Sequence, residues 1–478
     1  MKKYILGLVA AVTLFSCNRE ESFLDTEPQG TVGADQISDL IANYPEKAVL
    51  LLGGAEAGNN NYLIQFSTNG AGAHDDFGYM SVKTGLDHMT NDLVMYSSHW
   101  FNSYYMYVAR NVENSRDRMV WNFYYKVVYN MNEIVKLMPA ETTGDSSHLK
   151  GRAMAMRGLA YLDLVRLYAV GEQGIPYYSK GAGEEINVPA RMATTEVYAN
   201  IEKDLVEAYN LLAGYTRDSK ESVNQQVVAG FLARFYMTTK DYAKSAQYAK
   251  LARTGYSPMN ATQLADGFQF ISNPEWMWGS DITGSTTTSY ASFFSHMSNR
   301  NAGYAGLLGV YRLVDNRLYA KISATDLRKN WFNDPTGDFP PTFNVKFYDN
   351  TFMQGDYIYM RAAEFYLVEA EALARSGNEA GAKQVLFDLI SKRDPAYTLS
   401  IKTGAALLEE IRTHKKIEMW GEGLEFFDMK RNNEALVRNY TGTNHASFGR
   451  LDIPAGDARF NFMIPQAELD ANPEVKNP

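Results

Sequence analysis

Side chains able to do chemistry are unevenly spread along this chain of 478 residues, and the most abundant of them are aromatic: 32 Tyr, 24 Phe and 6 Trp. A flat ring has two uses. It fills a core, or it offers an apolar face to a flat ligand such as a sugar while nearby carboxylates and amides meet the hydroxyls. Clustering in polar loops separates the two uses. Trp100 lies in SSHWFNSYY, and the segment WMWGSDITGSTTTSYASFFSHMSNRNAGY holds Trp276, Trp278, Tyr290, Phe293 and Phe294 among Gly, Ser, Thr and Asn. Trp276 and Trp278 are two apart, so an extended chain puts both on one face. The candidate ligand contacts are therefore Trp100, Trp278, Tyr290 and Phe294, with Asp75 and Asn91 as hydrogen-bonding neighbours. Trp121 sits on a helical stripe and reads as core, Trp420 reads as structural, and Trp331 fits either role.

The titratable residues argue against catalysis. His74-Asp75-Asp76 is too few ligands for a divalent ion unless a distant His88 joins, so it reads as a loop or a hydroxyl acceptor. Glu364, Glu369 and Glu371 evoke the carboxylate pair of a glycosidase. On one helix, however, Glu369 and Glu371 point to different faces, since only positions three or four apart are neighbours. They read as scaffold salt bridges. Asp334-Pro335-Thr336-Gly337-Asp338 is turn chemistry without the full calcium-loop pattern. No G-x-S-x-G and no phosphate loop occurs. Cys17 is the only cysteine, which excludes internal disulfides and Cys/His zinc spacing. The sequence points to no cofactor and no metal.

With 46 basic against 55 acidic residues the net charge is −9, which disfavours a nucleic-acid partner. Residues 1–17, MKKYILGLVAAVTLFSC, hold two lysines and then an apolar run too short to span a bilayer, the pattern of a secretory signal. Its end, Leu14-Phe15-Ser16-Cys17, resembles a bacterial lipobox, although Phe15 is bulkier than usual there. Cys17 is then the expected lipid attachment, holding the protein to the outer membrane through more than one acyl chain. Residues 18–35, polar and bearing Pro28, Gly30 and Gly33, read as an extended tether.

The elements that must position the rings are mostly helical. Apolar residues recur at spacings of three and four over Arg118 to Met138, over Leu149 to Tyr168, and again after Thr195, which is placed to cap its helix. Two helical hairpins follow. Val223 to Thr238 turns at Thr239-Lys240-Asp241 into Tyr242 to Leu251. Tyr357 to Arg375 turns at Ser376-Gly377-Asn378 into Glu379 to Ile390, with Ala370, Ala374, Ala380 and Ala382 permitting close approach. Both resemble tetratricopeptide units. The expected domain covers 36–478: repeat helices over 36–254, a loop-rich insertion over 255–356, and a helical part over 357–478. An insertion of that length inside a compact domain is usually functional.

In this order and spacing the motifs resemble the SusD/RagB family over nearly the whole chain. The relevant stretches are Phe23-Leu24-Asp25 with Pro28; Asp76-Phe77-Gly78 and Met89-Thr90-Asn91-Asp92; Trp121-Asn122-Phe123-Tyr124 with Asn130; and Arg157, Tyr161, Asp163, Arg166 and Tyr168 before Gly174-Ile175-Pro176-Tyr177. Met360-Arg361-Ala362-Ala363-Glu364 with Glu369-Ala370-Glu371-Ala372 follows, then Gly421-Glu422-Gly423 through Asp428-Met429-Lys430-Arg431, and finally Ile464-Pro465 with Glu468 and Asn472-Pro473. His414-Lys415-Lys416 and Glu425 depart from the usual pattern, a change expected in surface ion pairs. The resemblance implies an all-α, tetratricopeptide-like scaffold with long irregular ligand-binding loops. It also implies a non-enzymatic lipoprotein on the cell exterior, bound to a SusC-like TonB-dependent β-barrel transporter and delivering oligosaccharide or polysaccharide to it. A peptide ligand is the alternative within the family. A helical secreted glycosidase and a pure protein scaffold are the rivals outside it.

Overall fold

The computed structural model describes residue 36 and residues 43–65, 73–108, 110–138, 143–179, 190–333 and 338–477. The leader, Cys17, the tether and most of the turn 334–338 lie outside the described residues. The chain divides between residues 51 and 52, and the description below concerns the second unit, 52–478.

Helices dominate it: α1 (Tyr79–Asp87), α2 (Ser115–Leu137), α3 (Gly144–Tyr168), α4 (Thr194–Leu211), α5 (Gln225–Thr239), α6 (Tyr242–Arg253), α7 (Ala362–Arg375), α8 (Glu379–Ile390), α9 (Gly404–Glu418) and α10 (Glu425–Arg431). From α2 to α8 each helix packs on the next, and α9 packs on α7. This is the stacked-hairpin, all-α scaffold. Local chemistry explains the boundaries. The Asn114 side chain accepts from Arg116 N to start α2, with Asp117 in the first turn and Lys136 in the last, each matching the helix dipole. Between α5 and α6 the turn is only Lys240-Asp241: Lys240 takes φ 66° and Asp241 caps Lys244 N. Between α7 and α8, Gly377 takes φ 87° and Asn378 caps Gly381 N. Ala370 and Ala382 are both fully buried in the core that these helices share with α9. Thr195 is not a cap; α4 starts one residue earlier without a side-chain cap, and Thr195 Oγ1 lies 3.4 Å from Glu172.

Short strands pin the loop-rich insertion to this scaffold. β1 (Leu93–Met95) pairs antiparallel with β3 (Arg312–Val314), and β2 (Trp276–Ser280) with β4 (Tyr357–Arg361). β4 corrects the expectation of helix from Tyr357. Residues 357–361 are extended and buried at every position, and the helix begins only at Ala362. The stretch YIYMR begins with three strand-favouring residues, Tyr357, Ile358 and Tyr359, and pairing with β2 outweighs helical propensity there.

At the end of β4 lies the electrostatic centre of the fold. Arg361, fully buried, bonds Glu275 at 2.8 Å, Glu418 at 2.6 Å and Glu422 at 2.7 Å. Arg393 reaches Glu275 at 2.8 Å and Glu418 at 3.0 Å, Arg328 reaches Asp326 and Glu418, and Lys346 reaches Glu422. Four cations thus face four carboxylates, so the cluster is neutral although every member is buried. Glu364, Glu369 and Glu371 are scaffold ion pairs too, with Arg234, with Arg253, and with Arg375 and Arg431 respectively. The departures at Lys415, Lys416 and Glu425 lie inside, not on the surface as expected. Glu425 bonds Arg412 at 2.6 Å and Lys416 at 3.3 Å, and Lys415 bonds Asp428 at 2.8 Å, all with side chains no more than 18% exposed. The acidic Glu425 is matched by the two cations facing it.

The G-E-G turn closes the network. Gly423 has φ 73°, and a Cβ there would lie 2.3 Å from Lys83 Cβ. Gly423→Ala is therefore expected to lower stability by about 2–4 kcal/mol, combining left-handed strain with overpacking. Gly442, at φ 82° with open space around it, is the control, since Gly442→Ala adds strain alone. Urea melts of both variants check this; equal midpoints would show that the contact with Lys83 is not what demands glycine.

Candidate functional site

The β1–β3 pairing places the site. Met95 lies opposite Arg312, so the loop leaving β1 and the loop entering β3 emerge from the same end of the ribbon. Tyr96 N extends the pairing by donating to Tyr311 O. The first loop carries His99 and Trp100; the second carries Tyr304. Beside Trp100, Phe101 adopts φ 69° and is buried against His88, 5.0 Å between ring centroids. This buried anchor holds Trp100 at the rim.

Six rings meet there. Tyr304 is central: its ring is 4.9 Å from His296 (stacked), 5.0 Å from His99, 5.7 Å from His74, 6.3 Å from Trp100 and 6.4 Å from Tyr290. Its hydroxyl hydrogen-bonds His74 Nδ1. His74 stacks on Trp100 at 5.8 Å. Tyr290 carries the cluster outward to Phe352 at 5.7 Å, and these two are 41% and 53% exposed. Behind the rings, Asp75 Oδ2 bonds Arg116 at 2.6 Å, and the Arg116 guanidinium lies 5.8 Å from the Trp100 ring. His296, buried, is held neutral: burial pushes its pKa well below the usual value and the Arg312 charge adds to this. The surface is aromatic, with exposed edges at Tyr290 and Phe352.

Among the buried polar atoms in this neighbourhood without a protein partner are Trp100 Nε1, His296 Nδ1, Asn102 Oδ1 and Asp75 Oδ1. Orphaned buried donors and acceptors are costly unless water or a ligand meets them.

The sequence candidates divide cleanly. Trp100, Tyr290 and Asp75 fall in this one neighbourhood. Trp278 and Phe294 do not offer exposed rings, as they are 1% and 0% exposed. Trp278 is wedged among Tyr79, Phe231 and Tyr359 and donates its Nε1 to Glu221 O, so it braces the scaffold. Phe294 packs so tightly under Gly355 that a Cβ there would lie 2.4 Å from its ring. Asn91 is elsewhere, pinning the C-terminal part: its amide donates to Ala435 O and accepts from Val437 N. The sequence reading did not single out Tyr304, His99 or Phe352, which join the cluster only through long-range proximity. Trp121, Trp331 and Trp420 are all buried, the last two donating to Leu264 O and Asp92 O. No helix among the described residues is long and apolar enough to cross a membrane.

Known proteins share this architecture. Residues 58–237 match a SusD-like family described as starch-binding and associating with the outer membrane, and residues 233–478 match the SusD family. A SusD-like carbohydrate-binding protein from Bacteroides vulgatus superposes with TM-score 0.77 at 26% identity, covering 89% of this chain and 97% of its own. A SusD superfamily protein from Bacteroides thetaiotaomicron gives 0.74 at 20% identity, with 89% and 99% coverage. Surface glycan-binding protein A from the same species gives 0.67 at 16%, with 90% and 98% coverage. No curated protein matches the chain significantly. On its family matches and its whole-length fold, this chain belongs to the SusD/RagB family.

Proposed function

We propose that this protein captures glycan at the cell surface and hands it to a TonB-dependent outer-membrane transporter of the SusC type, without cleaving it. The observation that carries the reading is the ring cluster around Tyr304, open at Tyr290 and Phe352. Rings and hydrogen-bonding groups in that arrangement bind; they lack the free carboxylate pair that glycoside hydrolysis requires. Asp75 is held by Arg116, and Glu364, Glu369 and Glu371 are held by arginines. Names of similar structures support a carbohydrate ligand. A few ring contacts and hydrogen bonds correspond to affinities on the order of micromolar to millimolar, weak enough for release to a partner.

Calorimetry against a panel of oligosaccharides, with the ligand analysed afterwards, tests the reading. Saturable binding with the ligand recovered intact is expected. Binding of peptides but no glycan, or product growing with protein concentration, would replace it.

The anchor is proposed on sequence grounds, with Cys17 as the acylated residue. Cys17→Ser is expected to lose nearly all stable association with outer membranes, because no other lipid-bearing position is available in the chain. Fractionation after a carbonate wash checks this; a variant that stays fully membrane-bound would exclude lipidation at Cys17.

A further inference from the structure

A concavity lies in the loop-rich insertion, lined by none of the ring cluster's own residues. It is a cleft of about 300 Å³, at the small end of ligand sites and large enough for one sugar residue. Its wall is apolar at Leu264, Leu327 and Val345 and aromatic at Trp331 and Tyr348. Both rings are fixed by hydrogen bonds to other lining residues: Trp331 Nε1 donates to Leu264 O at 2.7 Å, and the Tyr348 hydroxyl donates to Ala265 O at 3.3 Å. The polar lining is Arg300, Asn330 and Asn333, all exposed.

Charge sets this cleft apart. The chain has 55 acidic residues against 46 basic ones, yet among the described residues no carboxylate lines the cleft, and the one charge there is the Arg300 guanidinium. Nearly every other arginine described above is bonded to a carboxylate or a carbonyl. Arg300 makes no ion pair or hydrogen bond among the described residues; its only contact of note is with the Tyr348 ring, 5.6 Å from the centroid. A planar guanidinium left unpaired beside two side-chain amides and an apolar wall matches a ligand with a carboxylate, several hydroxyls and an apolar face. Guanidinium and carboxylate pair bidentately, and amides serve hydroxyls as donor and acceptor.

We propose that this cleft binds a carboxylate-bearing sugar residue, a uronic acid, with Arg300 on the carboxylate and Asn330 and Asn333 on the hydroxyls. The proposal rests on the glycan reading above for the ligand being a saccharide. It adds a second site and a preference for acidic chains. The two sites are chain neighbours: Arg300 and Tyr304 are four residues apart, as are Tyr348 and Phe352, and four extended residues span at most about 14 Å.

The probes are digalacturonate and its neutral counterpart digalactose, titrated by calorimetry at equal ionic strength into the wild-type protein and three variants. The wild type is expected to bind digalacturonate at least fivefold more tightly. Arg300→Gln, an exposed substitution, should erase that preference while leaving digalactose binding unchanged. Asn330→Ala should weaken digalacturonate several-fold. The preference should shrink in high salt, as an exposed ion pair does. A Trp100→Ala, Tyr290→Ala variant should lose neutral binding yet keep the Arg300-dependent preference. Equal affinity of the wild type for the two sugars, or a preference that survives Arg300→Gln, overturns the proposal while leaving the glycan reading intact. If neither sugar nor any oligosaccharide binds, the glycan reading fails with it.

Discussion

Replacing Arg361 with methionine is expected to cost at least 3 kcal/mol of stability, or to prevent folding. The guanidinium is fully buried and bonded to three glutamates. Its removal leaves Glu275, Glu418, Glu422 and Asp326 sharing Arg393, Arg328 and Lys346, a buried cluster with one uncompensated negative charge. Breaking a buried ion pair from one side costs about 3–5 kcal/mol, because the stranded charge cannot be hydrated. Arg361→Lys keeps the charge but cannot reach three carboxylates in a planar fork, so it should be destabilised as well, by less. Urea unfolding followed by circular dichroism measures both. A methionine variant whose midpoint matches the wild type would show that the network contributes nothing net.

The same network sets the acid limit. Burial by itself would raise the pKa of Glu422, but the charges of Arg361 and Lys346 outweigh it and hold the carboxyl below the usual value of 4.5. Glu418 is held well below its usual value against the same opposition from burial, by Arg393, Arg361 and Arg328. A carboxyl with a depressed folded pKa stabilises the fold above its unfolded pKa, and that contribution is lost as pH falls through the folded value. Wild-type stability should therefore drop on acidification below about pH 4.3, the ordinary glutamate range. Arg361→Lys should show a shallower drop, since its glutamates are less depressed.

The second large effect concerns ligand. Trp100→Ala combined with Tyr290→Ala is expected to weaken oligosaccharide binding tenfold or more. Each stacked ring contributes about 0.5–1.5 kcal/mol beyond buried area, so two rings give about 1–3 kcal/mol, and 1.4 kcal/mol is tenfold. Trp278→Phe provides the contrast. That ring lies among Tyr79, Phe231 and Tyr359, so its substitution should lower the melting temperature and leave affinity alone. Calorimetry paired with thermal melts separates the two roles. Unchanged affinity in the double variant, at a retained melting temperature, would place the site elsewhere.

Helices were legible in the sequence wherever short-range rules control them. The period of three to four and the turns at Thr239-Lys240-Asp241 and Ser376-Gly377-Asn378 each act over fewer than about five residues, so composition and order suffice, whereas the one cap read from the sequence, Thr195, is not a cap. Tyr357 to Arg361 was misread because its partner strand starts at Trp276, far along the chain, and pairing there outweighs local preference. The motif residues that reveal the family turn out to be largely interior. Arg361 and Glu422 meet each other, and Arg157 meets Asp204, in buried ion pairs. Their spacing was visible in the chain, but their purpose was not, since spacing carries no information about which distant charge completes a pair. The rings show the same division. Trp100 and Trp278 both sit in polar, aromatic-rich sequence, and nothing local distinguishes them. Packing by Tyr79 and Phe231 buries Trp278, whereas the β1–β3 ribbon lifts Trp100 beside Tyr304 at the surface. Exposure is a property of what packs against a side chain, and the tertiary fold alone supplies those partners.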